Sequence, residues 1–68
     1  MDYVTRMAIR AIISGLRNSD RLSEQDVLAV MAALQDAART ARARGFLEDG
    51  GTLMEFSRDI GLDNRIGD

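Results

Sequence analysis

The sequence predicts an all-α protein: a helical hairpin of two long helices plus a short third helix, completed into a helical bundle by dimerisation. Three observations predict it. The chain has no Pro and is rich in Ala, Leu, Arg and Met, all good helix formers. Its apolar residues recur at i, i+3, i+4 and i+7, and no segment alternates apolar and polar residues with the β-branched enrichment of a strand. Residues 27–34 read VLAVMAAL, an apolar run on a chain that otherwise carries 9 basic and 11 acidic residues. That run covers a helix nearly all round, which calls for neighbours on more than one side.

Sixty-eight residues make one domain. A chain this short buries only about 60% of its unfolded surface and usually needs a staple. It has no Cys and no His, so neither a disulfide nor an ordinary zinc site is open to it. Oligomerisation remains, and a homodimer is the expected state. We place the domain at residues 1–62 and read residues 63–68, DNRIGD, as a flexible tail.

The first helix is expected from Asp2 to Arg17. At 100° per residue, Val4, Met7, Ala8, Ile9, Ala11, Ile12, Ile13 and Leu16 form a broad apolar arc. Arg6, Arg10 and Arg17 occupy the remaining stripe, with Tyr3 and Ser14 beside them. The arc is wider than the ~100° stripe of an ordinary surface helix. Asn18 suits the left-handed conformation that ends a helix.

Ser23 is the expected N-cap of the second helix, Glu24 to Arg44. Asp26 stands three residues on, as in a capping box, and Leu22 and Val27 have the spacing of a hydrophobic staple. Val27, Val30, Met31, Leu34, Ala37, Ala38 and Ala41 form its core stripe. The opposite side carries Ala29, Ala32 and Ala33, with Leu28 on the flank, and these four are the candidate self-association residues. Glu24 and Asp26 in the first turn and Arg39, Arg42 and Arg44 near the end complement the helix dipole. Gly45 is the natural residue after the C-cap, with Phe46 folding back toward Ala41.

Residues 47–51, LEDGG, read as a loop. Thr52 and Glu55 then form a second capping box, Leu53, Phe56 and Ile60 a short apolar stripe, and Gly61 a stop after which Leu62 packs on Phe56.

The charges are unevenly spread. Residues 1–17 carry +2, residues 18–44 balance, and residues 45–68 carry −4, for a net −2. Arg6, Arg10 and Arg17 are therefore the candidate partner-binding residues. They have three possible roles: a solvated stripe, pairing with Glu48, Asp49, Glu55 or Asp59, or contact with an anionic partner. All nine cations are Arg, which suits bidentate contact with carboxylate or phosphate as well as codon bias.

Candidate catalytic chemistry is sparse. Without His or Cys there is no triad, and without Lys no Ser–Lys pair. GFLEDGGT lacks the Gly-Lys-Ser/Thr ending of a phosphate loop. Glu48 and Asp49 are two carboxylates without a third ligand, and DNRIGD departs from a calcium loop at its third position. No enzyme activity, cofactor or metal is expected. The longest apolar run is well below the roughly 18 residues of a membrane span, and MDYVTRM lacks a signal-peptide core, so a cytoplasmic protein is expected.

These readings converge on a small non-enzymatic interaction protein: a regulator, adaptor or inhibitor that acts by binding another protein. A small DNA-binding regulator using the Arg stripe is the alternative. Against it, the second helix opens with Glu24, Gln25 and Asp26, which phosphates would repel, and the pI is near 4.9. A structural subunit of a larger assembly is the third reading.

Overall fold

The computed structural model describes residues 2–65 as three helices, α1 (Tyr3–Asn18), α2 (Glu24–Ala43) and α3 (Leu47–Asp63), with no strand among the described residues. The all-α class and the order of three helices are as expected. Residues 66–68 of the expected tail lie outside the described residues.

Both of the first two boundaries are set by local hydrogen bonds. Asp2 caps α1 by accepting from the Thr5 N–H at 2.7 Å. Ser23 caps α2 in a complete capping box: the Asp26 N–H donates to the Ser23 hydroxyl at 3.1 Å, and the Ser23 N–H to the Asp26 carboxylate at 2.9 Å. Leu22 packs on the core cluster that contains Val27, as the staple spacing requires. At the end of α2 the Gly45 N–H donates to the Arg42 carbonyl and the Phe46 N–H to the Ala41 carbonyl, with Gly45 at φ 88°. That is a full Schellman closure.

The end of α1 uses the same device two residues later than expected. Asn18 is helical, and Asp20 takes the left-handed conformation at φ 59°. The Asp20 N–H then reaches the Arg17 carbonyl and the Arg21 N–H the Leu16 carbonyl. Asp, like Asn, tolerates that region because its short polar side chain bonds locally.

The third helix departs most from expectation. It is not a two-turn helix starting after a loop. It begins at Leu47, runs 17 residues through both glycines and Gly61, and ends at Asp63. Thr52 is not a cap: it sits inside the helix, and its hydroxyl donates back to the Glu48 carbonyl. Glu48 and Asp49 occupy the first turn, where carboxylates stabilise the exposed N–H groups. Glycine disfavours a helix by about 1 kcal/mol each, so packing must hold this segment helical. Gly50 shows how. It is buried against α2, and a Cβ there would lie 3.0 Å from the Ala38 carbonyl oxygen and 2.6 Å from Cγ of Arg42. Leu62, expected on Phe56, is instead 65% exposed.

The main packing is between α2 and α3, an antiparallel hairpin. Small residues, Ala38 and Gly50, meet near its turn. Further along, Ser57 is buried between the helices; its hydroxyl donates to the Met31 carbonyl and accepts from Nε2 of Gln35, each at 3.2 Å. Beyond it lie Phe56, Ile60 and Val27, and Ile13 of α1 plugs this end of the core. Val30, Met31 and Leu34 flank the cluster, as the core stripe of α2 predicts, while Ala37 is exposed.

Of the wide apolar arc on α1, only Ile13 is buried. The rest of the arc, expected to be wider than one neighbour could cover, is left exposed. The molecule is accordingly drawn out, measuring 38 × 24 × 19 Å with a radius of gyration of 12.2 Å. A compact domain of this length would have about 11 Å.

Candidate functional site

The first helix sits on the molecule by its charged flank. On α1, the Arg stripe and Ile13 are neighbours, since Ile13 lies at the edge of the apolar arc nearest Arg6 and Arg17. Ile13 enters the core, and Arg6, Arg10 and Arg17 are half-buried. The arc is thereby turned to solvent. Val4 is 73% exposed, Ile12 61% and Leu16 40%, with Ala8 and Ile9 also on the surface. No charged residue falls among them.

Arg10 ties α1 to α3 through two carboxylates. Nε of Arg10 donates to Oδ2 of Asp63 and Nη2 to Oδ1, both at 2.7 Å, a bidentate fork. Nη1 lies 3.7 Å from the Asp59 carboxylate. The pairing has a local cause. Asp63 closes α3, where the dipole disfavours a carboxylate, and the last turn of α3 carries no cation of its own. Arg10 supplies that cation from another helix. Its guanidinium holds the Asp63 carboxyl below the ordinary carboxylate range, and Asp63 raises Arg10 in turn.

The sequence places Asp63 in the tail, outside the candidate acids Glu48, Asp49, Glu55 and Asp59, and of those four Asp59 approaches Arg10. The signal was the charge split between the basic first third and the acidic last third. Arg17 makes a weaker contact, Nη1 to the Leu22 carbonyl at 3.5 Å. Of the three candidate partner-binding arginines, Arg10 is thus engaged within the chain.

The candidate self-association residues lie on α2, away from this face. Ala29, Ala32 and Ala33 are exposed and Leu28 is half-buried. They form a shallow row that runs on into Asp36 and Thr40, both of which are exposed.

An open groove of about 280 Å³ runs beside the fork, lined by Met7, Arg10, Ala11, Ser14 and Asp63. Its two charged groups already bond each other. Among the described residues no three His, Cys, Asp or Glu side chains gather as a metal site, and no buried side-chain N or O lacks a hydrogen-bond partner. No described helix is long and apolar enough to cross a membrane.

The chain matches no family model, no curated protein and no solved structure. Among the described residues, the outward face of α1 is an uncharged apolar surface carrying Val4, Ala8, Ile12 and Leu16.

Acid should loosen that arrangement. Asp63 is lowered by the Arg10 hydrogen bonds, Asp26 by the Ser23 cap and Asp2 by the Thr5 N–H. A carboxyl lowered in the folded state stabilises it above the unfolded value near 3.8, and this is lost as pH falls through the lowered folded value. Asp63→Asn should therefore cost up to about 1 kcal/mol at neutral pH. The gap between wild type and variant should close as pH falls through the lowered value of Asp63. Urea denaturation at neutral pH and in steps below pH 4 measures it; a pH-independent gap would remove the ion pair from the account.

Proposed function

We propose that this chain is a small non-enzymatic protein-interaction module, a regulator, adaptor or inhibitor, that works by seating the outer face of α1 on a protein surface. The observation that carries the reading is the inverted seating of α1. A 16-residue amphipathic helix turns Val4, Ala8, Ile12 and Leu16 outward while its Arg10 side is bonded to the body. A solvated helix would gain by the opposite rotation. An apolar row at i, i+4, i+8 and i+12 is the pattern by which a helix anchors in a groove or on another helix. The α2–α3 hairpin, with α1 fastened at Ile13 and Arg10, holds that row in one orientation. Preorganisation of this kind lowers the entropy lost on binding.

The test is affinity capture from the native cell extract with wild type, Ile12→Arg and Arg17→Gln as baits. Protein retained by wild type and Arg17→Gln, and lost with Ile12→Arg, is expected. Identical retention by all three baits would mean that the face of α1 binds nothing.

A further inference from the structure

Resting on the reading above, we propose that the occupant of the outer face of α1 is a second copy of the same chain, bound α1 to α1 around a two-fold axis, antiparallel.

Surface area gives the first reason. A compact monomer of 7.5 kDa exposes about 4,250 Å² by the usual scaling with mass. This chain exposes 4718 Å². The excess is about 470 Å² per chain. The apolar row of α1 contributes to it, with Val4 73%, Ile12 61% and Leu16 40% exposed, and a second copy covers that row in both chains at once.

Charge gives the second. All four charged residues of the first helix and its cap, Asp2, Arg6, Arg10 and Arg17, lie off the Val4–Ala8–Ile12–Leu16 row. A strongly acidic or basic partner would find nothing there to pair with. An anionic lipid surface would meet a chain of net charge −2 whose Arg10 is bonded to Asp63. A second copy brings an equally uncharged face, so no like charges oppose one another.

Side-chain shape supplies the register. Val4, Ala8, Ile12 and Leu16 form a single i±4 ridge, and two such ridges interdigitate with the helices crossing near −50°. With the axis between Ala8 and Ile12, the large Ile12 of each copy lies over the small Ala8 of the other. The exposed alanine row of α2 has no large exposed residue to seat on a small one and runs on into the charged Asp36.

Sedimentation equilibrium of the full chain over ~10–500 μM tests this, with wild type, Ile12→Arg and Ala33→Arg compared. The expected result is a wild-type mass twice the 7.5 kDa of the chain. Ile12→Arg should weaken the dimer about a hundredfold or more, as for loss of a central anchor. Its helical circular dichroism should be kept, because Ile12 is exposed in the single chain. Ala33→Arg should leave the dimer intact. A dimer that survives Ile12→Arg, or that Ala33→Arg breaks, overturns the proposal and places the contact elsewhere. A wild type at the single-chain mass throughout also overturns it. In that case Ile12-dependent capture of another protein would preserve the interaction reading, and co-sedimentation with vesicles of phosphatidylcholine and phosphatidylglycerol would assign the face to lipid.

Discussion

Phe56→Ala is expected to abolish cooperative thermal unfolding. Phe56 is 1% exposed and stands at the point where all three helices meet, with Val27 of α2, Ile60 of α3 and Ile13 of α1. Truncating a buried Phe costs about 3–5 kcal/mol, from lost transfer free energy and the cavity left behind. A 68-residue chain has a total stability of roughly 3–10 kcal/mol. The loss is comparable to the whole. It also opens the apolar socket that α1 uses, because Ile13 is the single buried residue of that helix and Phe56 is one wall of its socket. The measurement is circular dichroism at 222 nm against temperature. A sigmoidal transition within about 5 °C of the wild type would contradict it, since 1 kcal/mol alone moves the midpoint by about 4–8 °C in a domain this small.

The second large effect is a contrast between neighbours. Gly50→Val is expected to destabilise strongly, and Gly51→Ala to stabilise. At Gly50 a Cβ meets the Ala38 carbonyl oxygen at 3.0 Å, which is backbone and cannot turn aside, and Arg42 Cγ at 2.6 Å, which can. A Val adds two further methyl groups at this close crossing. Overpacking of this kind costs about 1–3 kcal/mol, by driving the α2–α3 hairpin apart at its turn. At Gly51 nothing lies within 4 Å of a Cβ. There Ala gains helix propensity and lowers the entropy of the unfolded chain, for up to about 1 kcal/mol of added stability. Urea denaturation of the two variants should give midpoints on opposite sides of the wild type. Equal shifts would show that the LEDGG segment is not packed on α2.

The two glycines also mark where sequence reading reached its limit. Ser23 and Asp26, Leu22 and Val27, and Gly45 with Phe46 were legible because their bonds and contacts join residues three to five apart in the chain, or the cap to its own helix. The core stripe Val27, Val30, Met31, Leu34 was legible for a related reason: helical period places it on one face whatever it meets. LEDGG was misread as a loop because glycine's propensity is a local quantity, and here it is outweighed by a close helix crossing that no local rule contains. The end of α1 was misplaced by two residues because Asp20 and Asn18 are both acceptable in the left-handed region.

The site shows the same division. The sequence alone determined that α1 has a wide apolar arc and a narrow Arg stripe, that the first third of the chain is basic and the last third acidic, and that no His, Cys or Lys is present. Only the tertiary structure decided which side of α1 faces the body. Helical periodicity specifies which residues share a face but not what that face meets. The rotation of α1 rests on two contacts distant in sequence, Ile13 in the socket formed by Phe56, Ile60 and Val27, and Arg10 on the carboxylate that closes α3. Those contacts leave Val4, Ala8, Ile12 and Leu16 facing outward.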